Sequence, residues 1–238
     1  MATDKRVALI TGANKGIGLE IARQLGRQGM VVVIGSRDTQ RGQAAADALK
    51  AEDIDAHTVK LEVTDAAERA AALTFLQEHF GRLDILVNNA GIVLDQSQGV
   101  TPESLSKTYD ANVIAPYFLT ETLLPLLEAA PAGRVVHQSS GLGSLAMNAS
   151  GDLPTEWMLP AYNSSKAALN MLGVIQAAAL KDTRVKVNIA HPGSVKTDMN
   201  PGGDLSLEDG AKTAVTLATL PDDGPTGGFF HQGETLPW

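Results

Sequence analysis

Cysteine is absent from the 238 residues of the sequence. Its absence excludes disulfide bonds, a thiol nucleophile and any metal site built on cysteine ligands, such as that of a zinc-dependent alcohol dehydrogenase. No other metal site is expected, because His137 lies in a run that predicts a buried strand and His191 precedes a Pro-Gly turn. For both histidines we expect ordinary packing or a local hydrogen bond.

Long hydrophobic runs are also missing. No apolar stretch approaches the roughly 18 residues that a membrane-spanning helix requires. Residues 1–6 lead directly into a predicted strand and lack the apolar core of a secretory signal peptide. These features predict a soluble, cytoplasmic protein that does not bind membranes.

Positive charge is in short supply as well. The sequence has 19 Lys and Arg residues against 27 Asp and Glu, which gives a formal net charge of -8. Nucleic-acid binding needs a basic face, so we expect no nucleic-acid partner. A local basic pocket for a single phosphate is still compatible with this composition. Hydrophobic residues make up 44% of the chain, which is enough for a sizeable core.

Short runs with strand character alternate with helical segments along the whole chain. Runs of this length are typical of parallel strands buried on both faces. Their alternation, without a composition break, predicts a single domain spanning residues 1–238. Its predicted α/β fold is a doubly wound parallel sheet of about seven strands with helices on both faces. The predicted strands occupy residues 7–10, 31–34, 57–61, 83–87, 133–138, 184–190 and 227–231.

A glycine-rich turn, residues 11–18, connects the first predicted strand to an amphipathic helix. Such a turn cradles phosphate, because free backbone N–H groups and the helix dipole point at the anion, and it makes the predicted fold Rossmann-type. Gly12 would permit the tight turn, Gly16 the close approach of a pyrophosphate, and Gly18 the packing of helix on strand. The spacing G-x-x-x-G-x-G differs from the general G-x-G-x-x-G fingerprint, so an ordinary strand-to-helix turn is the open alternative.

The end of the second predicted strand carries Arg37 where an NAD site would have an acidic residue. An acidic group repels a 2′-phosphate, whereas a guanidinium binds it with two hydrogen bonds. Lys15, in the glycine turn, can reach the same region. The two residues together favour NADP(H) over NAD(H). The alternative is that Arg37 is a solvated loop residue.

Tyr162 and Lys166 lie four residues apart in a predicted helix, which brings them onto one face. A phenol normally titrates near 10, and a nearby cation lowers that pKa towards values useful in proton transfer. By itself the pair is weak evidence, because Tyr and Lys at this spacing usually belong to a solvated helix face.

Residues 101–127 predict one long helix with Pro102 in its first turn. Asn112 lies inside this helix, and Pro116 predicts a kink beside it. A polar side chain in such a place needs a partner, and we expect an ordered water. Residues 88–91, at the end of the fourth strand, present amides and open backbone to the ligand crevice; a simple turn is the alternative.

On six motifs in order, the chain resembles the short-chain dehydrogenase/reductase family over nearly its whole length. Within the family it is most similar to the NADPH-dependent carbonyl reductases, through residues 11–18, 36–45 and 191–199. The six motifs are the glycine turn, residues 88–91, Asn112, Ser140, the Tyr162 and Lys166 pair, and Pro192-Gly193.

The resemblance implies catalytic roles for four residues. Tyr162 corresponds to the catalytic acid/base, and Lys166 to the residue that lowers its pKa and holds the nicotinamide ribose. Ser140 corresponds to the hydroxyl that polarises the substrate carbonyl, with the adjacent Ser139 as the open alternative. Asn112 corresponds to the residue that holds a water in the proton relay.

The resemblance also implies NADPH/NADP+ as cofactor and a set of contacts to it. Glu62 stands where the family mostly has an Asp beside the adenine, which leaves that contact open. The implied cofactor residues are Gly12, Asn14, Lys15, Gly16, Ile17, Gly18, Arg37, Glu62, Val63, Asn88, Ala90, Gly91, Tyr162, Lys166, Pro192, Gly193, Val195 and Thr197.

The substrate pocket is expected mainly in residues 142–160, a stretch with little periodicity, with Met199 and the loop of residues 200–205 completing it. Simple core packing of these side chains is the alternative. Ser194 replaces a Trp of the animal carbonyl reductases, so their substrate range does not carry over. The predicted pocket residues are Ser140, Leu142, Trp157, Met158, Tyr162, Ser194 and Met199.

The sequence therefore predicts the NADPH-dependent reduction of a small ketone or aldehyde to an alcohol, with Tyr162 as proton donor. Physiological oxidation of a secondary alcohol and a non-catalytic NADP(H)-binding sensor are the alternatives. The resemblance implies a homodimer or homotetramer that pairs through the two long helices.

Overall fold

The computed structural model of the protein describes residues 4–96 and 99–238. Its strands form one sheet, in the order β3-β2-β1-β4-β5-β6-β7-β8 given the bounds below. Only the β7–β8 pair is antiparallel among the strands described. The strands are β1 (Val7–Thr11), β2 (Val31–Ser36), β3 (Ala56–Lys60), β4 (Ile85–Asn88), β5 (Arg134–Gln138), β6 (Lys186–Ala190), β7 (Phe229–His231) and β8 (Glu234–Thr235).

Helices connect the parallel strands and cover both faces of the sheet. Within the described ranges, none combines the length and the apolar character that crossing a membrane requires. The helices are α1 (Gly16–Arg27), α2 (Thr39–Lys50), α3 (Ala66–His79), α4 (Pro102–Tyr109), α5 (Ala115–Ala129), α6 (Leu145–Ala149), α7 (Pro160–Ala179) and α8 (Leu207–Ala218).

Alternate residues of the strands feed two separate cores, one on each face of the sheet. Ala8 and Ile10 of β1 pack with α1, α2 and α8, while Val7 and Leu9 pack with α3, α5 and α7. All five residues of β1 are buried, as expected for a strand between two helical layers. The predicted fold class is confirmed, and the short β8 is the one strand beyond the predicted set.

The strand order reverses between β1 and β4, which are neighbours in the sheet although β2 and β3 separate them in the chain. Connections diverge at this point, so a crevice opens at the carboxyl ends of the strands, where ligands of such sheets bind. The glycine turn follows β1 and residues 88–91 follow β4. The topology therefore brings these two motifs to the same place.

The single long helix predicted over residues 101–127 is divided in the structure. Thr101 caps α4 together with Ser104, and a π-helical turn, Asp110–Ile114, separates α4 from α5. Pro116 follows this π-helical turn without a break in the helix, so its missing N–H falls inside the helical hydrogen-bond ladder. Asn112 lies in the widened turn just before it.

The stretch of residues 142–160 contains more regular structure than its sequence indicates. It holds the short helix α6 and a 3₁₀ turn at Thr155–Trp157, and another 3₁₀ turn, Gly141–Gly143, precedes it. Helix α7 begins at Pro160, two residues before Tyr162. Tyr162 accordingly lies in the first turn of this helix.

Candidate active site

The four predicted catalytic residues come from three elements that meet at the carboxyl edge of the sheet. Ser140 follows β5, Tyr162 and Lys166 lie on α7, and Asn112 lies in the π-helical turn. Gly91 lies between two of them: a Cβ added there would be 3.2 Å from Asn112 Oδ1 and 3.5 Å from Lys166 Nζ. The loop after β4 therefore packs against this cluster, and the packing leaves little room for a side chain.

Lys166 is almost fully buried, at 4% exposure. Its Nζ donates a hydrogen bond of 2.8 Å to the main-chain oxygen of Gln138 and lies 5.7 Å from the centre of the Tyr162 ring. Burial lowers the pKa of Lys166 to about 8, because the charged form loses its hydration. The ammonium is thus held between the end of β5 and the tyrosine ring.

The pKa of Tyr162 differs from the sequence prediction in its direction. Burial raises it to about 12, and the hydrogen bond from Ser140, which lowers it, offsets only part of that rise. Desolvation of the phenolate thus outweighs any effect of the Lys166 cation, contrary to the predicted lowering. The phenol therefore stays protonated across the physiological pH range, which suits a proton donor.

The two adjacent serines after β5 point to different partners. Ser139 is buried, and its Oγ donates a hydrogen bond of 2.6 Å to Asn170 Oδ1 on α7. Ser140 caps the 3₁₀ turn by accepting from the Leu142 N–H at 3.2 Å, and it also bonds the Tyr162 hydroxyl. Of the two alternatives left by the sequence, the geometry brings Ser140 to the tyrosine.

The side chain of Asn112 bonds protein groups where the sequence analysis expected an ordered water. Its Oδ1 accepts from the Ile92 N–H at 2.8 Å, and its Nδ2 donates to the Ile92 oxygen and to Ser165 Oγ. Both amide donors are therefore engaged, and Asn112 joins the loop after β4 to α7. Its implied role in holding a water stays a prediction.

The glycine turn packs directly on the loop after β4. Gly12 has a φ of 63°, and a Cβ there would lie 3.1 Å from Ala90 Cα. A Cβ on Gly18 would lie 2.5 Å from Asn89 Nδ2, so Gly18 serves this contact as well as helix packing. A Cβ on Gly16 would meet nothing within 4 Å, and its φ of 60° is what favours glycine.

The N-terminus of α1 is open in a way that suits an anion. The helix begins at Gly16, its N-cap residue Lys15 makes no side-chain cap, and its first turn has no acidic residue. Ile17 packs on the core and Asn14 is partly buried beside it. The backbone N–H groups of this turn are therefore available to a phosphate, as the sequence predicted.

The two basic residues predicted to share one phosphate have separate partners. Arg37 is 77% exposed, and its guanidinium lies 3.9 Å from the Glu62 carboxylate, next to the buried Val63. Lys15 instead forms an ion pair of 2.6 Å with Asp198, in the loop after β6. The structure thus leaves Arg37 as the cation at the end of β2, and it pairs Lys15 with a different loop.

The side chain of Asn88 bonds neighbouring elements of the fold. It is buried, and Nδ2 donates a hydrogen bond of 3.0 Å to Thr120 Oγ1 on α5 and lies 3.3 Å from His137 Nδ1 on β5. This side chain holds β4 to its neighbours, and a contact of Asn88 with the cofactor stays a prediction. Ala90 and Gly91, by contrast, lie at the glycine turn and at the Lys166 cluster.

The loop after β6 is braced by its own hydrogen bonds. Gly193, after Pro192, has a φ of 83°, which leaves the following residues free to turn back. Val195 is buried and pairs with Leu205, while the Ser194 oxygen accepts from the Leu205 N–H at 2.9 Å. Thr197 Oγ1 accepts from the Asn200 N–H, and Met199 is 39% exposed near the tip. This compact loop faces the glycine turn through Asp198.

A mostly apolar cleft of about 290 Å³ lies beside the N-terminal half of α7. Two of the predicted pocket residues, Leu142 and Met158, line it, and Leu145 is added from α6. Trp157 is adjacent in sequence and 46% exposed. The remaining lining residues are Gly143, Asn148, Leu159, Pro160, Asn163, Ser164 and Ala167.

Sequence reasoning missed two residues that bond the backbone of Tyr162. Ser165 Oγ donates to the Tyr162 oxygen at 2.7 Å, and Asp95 Oδ2 accepts from the Tyr162 N–H at 3.4 Å. Ser165 lies inside the recognised motif, where a serine has no distinctive signal. Asp95 lies in the loop after β4, and nothing in the sequence indicates a partner 67 residues away.

A doubly wound parallel sheet with an open glycine turn and a Ser-Tyr-Lys-Asn cluster at its carboxyl edge defines a dinucleotide-binding oxidoreductase. The comparisons agree with this class. Residues 6–204 match the family model described as short chain dehydrogenase. The chain therefore belongs to the short-chain dehydrogenase family, which confirms the resemblance found in the sequence.

Individual relatives span the whole chain. Salutaridine reductase of Papaver somniferum is 33% identical over 302 aligned residues, which cover 98% of this chain and 96% of that protein. Carbonyl reductase (NADPH) 1 of Sus scrofa is 35% identical over 280, covering 100% and 96%. The structure of NADPH-bound carbonyl reductase from chicken fatty liver superposes with a TM-score of 0.86 at 30% identity, covering 99% and 100%.

Proposed function

We propose that the protein reduces a ketone or aldehyde to the alcohol, with NADPH as the hydride source. The observation that carries the proposal is the arrangement around the protonated Tyr162 phenol: Ser140 bonds its hydroxyl, and the Lys166 ammonium lies 5.7 Å from the centre of its ring. A group in this state can donate a proton at neutral pH. Oxidation of an alcohol would need the same phenol as a base; reduction is the proposed direction because the relatives named above are reductases.

The cofactor is NADP(H), the cofactor named for the carbonyl reductases to which the chain is similar. The uncapped first turn of α1 fits a pyrophosphate, and Gly16 offers open backbone to it. The exposed guanidinium of Arg37 fits the 2′-phosphate. The loops that carry Gly91, Gly193 and Val195 would hold the nicotinamide end.

When bound, NADPH supplies a hydride to the carbonyl carbon. Tyr162 donates its proton to the carbonyl oxygen, and Ser140 donates a hydrogen bond to the same oxygen. Both groups stabilise the negative charge that develops on that oxygen. The buried ammonium of Lys166 adds positive charge beside the tyrosine ring, and Asn112 fixes the loop after β4 against α7.

The substrate is a small carbonyl compound with an apolar body. The support for this is the mostly apolar cleft that Leu142, Leu145 and Met158 line. It borders α7, the helix that carries Tyr162, while Tyr162 and Ser140 are not among its lining residues. Leu145 is 70% exposed and Met158 is 47% exposed, so contact with an apolar group would remove both from water.

We further propose that residues 1–238 form one cytoplasmic domain that assembles as a homodimer or homotetramer. Ile114 and Phe118, near the start of α5, are spaced by one helical turn and are 45% and 50% exposed. Met171 and Ile175 of α7 have the same spacing and are 60% and 50% exposed. Light scattering should give a mass above the 24.9 kDa of one chain, and Phe118→Asp should lower it.

A panel of ketones and aldehydes, assayed with NADPH and with NADH side by side, tests the proposed function. We expect steady consumption of NADPH with at least one carbonyl and a clear preference over NADH. Tight NADPH binding without turnover on any substrate would favour a binding protein, and a preference for NADH would contradict the role of Arg37.

A further inference from the structure

The first turn of α7 lacks a cap from its own segment. The N-cap residue, Leu159, makes no side-chain hydrogen bond to the turn, and Pro160 has no N–H. The first N–H that bonds within the helix is that of Asn163, which donates to the Leu159 oxygen at 2.8 Å. The N–H groups of Ala161 and Tyr162 therefore depend on an acceptor from elsewhere.

Asp95 supplies that acceptor. Its Oδ2 accepts from the Ala161 N–H at 2.7 Å and from the Tyr162 N–H at 3.4 Å, although 66 residues separate Asp95 from Ala161. The residue is 4% exposed, and its Oδ1 is buried without a hydrogen-bond partner among the described residues. The positive end of the helix dipole favours a carboxylate at this point.

The loop after β4, which contains Asp95, is also linked to the main-chain oxygen of Tyr162. The Tyr162 oxygen accepts from Ser165 Oγ, and Ser165 Oγ accepts from Asn112 Nδ2. Asn112 in turn bonds both the N–H and the oxygen of Ile92, three residues before Asp95. The loop after β4 therefore bonds the Tyr162 N–H directly through Asp95, and it reaches the Tyr162 oxygen through the side chains of Asn112 and Ser165.

We propose that Asp95 is a positioning residue for the reaction: by capping α7 from the loop after β4, it fixes the backbone of Tyr162 and hence the aim of its hydroxyl. First turns of helices fray when their N–H groups lack acceptors. A misplacement of about 1 Å can cost roughly 100-fold in rate. The proposal rests on the proposed function, because it assigns Tyr162 the proton transfer.

Three variants separate position from charge and from general stability. Asp95→Ala removes the acceptor, Asp95→Asn keeps an oxygen at the same reach, and Asp95→Glu keeps the charge but moves the oxygens by one methylene. Asp65→Ala is the matched control, because Asp65 caps α3 through the N–H groups of Ala67 and Glu68, away from the catalytic cluster.

We expect Asp95→Ala and Asp95→Glu to lower kcat about tenfold or more with the KM for NADPH within about twofold of wild type. Both should also enlarge the solvent deuterium isotope effect on kcat, because proton donation then limits the rate. Asp95→Asn should keep most of kcat, and Asp65→Ala should leave kcat unchanged while lowering Tm by about 2–4 °C.

Hydrogen exchange of the peptide covering residues 158–166 gives a readout that does not require turnover. Exchange faster than wild type in Asp95→Ala, together with a wild-type rate in Asp65→Ala, supports the cap. This result stands even if no carbonyl substrate is found and the proposed function fails. Unchanged kcat and unchanged exchange in folded Asp95→Ala would overturn the proposal. If that variant does not fold, wild-type kcat in Asp95→Glu overturns it instead.

Discussion

The Nζ of Lys166 lies 2.8 Å from the main-chain oxygen of Gln138, so a buried ammonium joins α7 to the last residue of β5. No carboxylate hydrogen-bonds or pairs with this ammonium among the described residues. Burial therefore lowers the pKa of Lys166 from 10.5 to about 8. Keeping the Lys166 ammonium charged inside the protein therefore lowers the free energy of unfolding, and this destabilisation depends on pH.

That cost predicts how stability changes on the alkaline side. Between about pH 8 and pH 10 the unfolded chain keeps the Lys166 proton and the folded chain loses it, so the free energy of unfolding rises with pH. Relative to a Lys166→Met variant, wild type should gain about 2 kcal/mol over this window. Urea unfolding at several pH values measures the difference.

Lys181→Met, which removes an exposed lysine just after α7, is the control and should leave the pH dependence as in wild type. Equal slopes for wild type and Lys166→Met would mean that the Lys166 ammonium does not lose its proton in this range.

Tyr162→Phe should abolish reduction and leave cofactor binding in place. The phenol is the only group proposed to donate a proton to the carbonyl oxygen, and general acid catalysis contributes about 10²–10⁴-fold in rate. We expect kcat to fall by about 10³-fold, with the Kd for NADPH, measured by fluorescence titration, within about threefold. Tyr117→Phe, a change at a half-buried tyrosine of α5, should behave as wild type. Turnover near the wild-type rate in Tyr162→Phe would contradict the assignment.

The sequence predicts the fold because the patterns that mark each strand and helix lie within short stretches of the chain. The apolar run of residues 31–34 predicts a strand, and β2 covers it and ends at Ser36, because such a run between helices is buried in a parallel sheet. The π-helical turn at Asp110–Ile114 was not accessible, since it is fixed by bonds from Asn112 to Ile92 and Ser165. Residues of helical character give no sign of such a widened turn.

The sequence predicts which residues form the candidate site better than it predicts their pKa values and bonding partners. The motif identifies Tyr162 and Lys166, yet spacing on a helix cannot reveal that burial outweighs the neighbouring charge and raises the tyrosine pKa. Asn88 and Lys15 were assigned to the cofactor by pattern, and their partners, His137 and Asp198, are distant in sequence. Tertiary partners of polar side chains are what a single sequence leaves out.

His137 predicts how the protein responds to acid. It is fully buried between Asn88 and Gln176, and burial lowers its pKa to about 4, with the Lys166 cation lowering it further and the Gln176 hydrogen bond opposing. Between pH 6.5 and about 4, His137 is protonated in the unfolded chain and neutral in the folded chain. The free energy of unfolding therefore falls as the pH is lowered through this range. His137→Asn should reduce the loss between pH 7 and 4.5 by about 2 kcal/mol.

Chemical unfolding across this pH range measures the effect. His191, which is partly buried and has a pKa lowered to about 4, stays in the variant, so part of the acid sensitivity should persist. His79→Asn, an exposed change on α3, should leave the loss as in wild type. The assignment fails if His137→Asn and wild type lose stability in parallel.

The separate partners of Arg37 and Lys15 predict unequal effects on cofactor choice. Arg37→Ala should raise the KM for NADPH about tenfold or more and leave that for NADH within about twofold, because a charge-assisted bond to the 2′-phosphate is lost. Lys15 is held in an exposed ion pair with Asp198, which is weak because the surrounding water screens both charges. Asp198→Asn should therefore release Lys15 and tighten NADPH binding by up to about threefold at low salt.

The gain in Asp198→Asn should disappear at high salt, where exposed charges are screened. Arg27, the last residue of α1, is exposed and pairs with Glu52. Arg27→Ala therefore controls for the loss of a positive charge away from the cofactor. Steady-state kinetics with both cofactors at two salt concentrations distinguishes these cases. If Arg37→Ala weakened NADPH and NADH equally, the guanidinium would be supporting the fold of the β2 loop, with no specific contact to the 2′-phosphate.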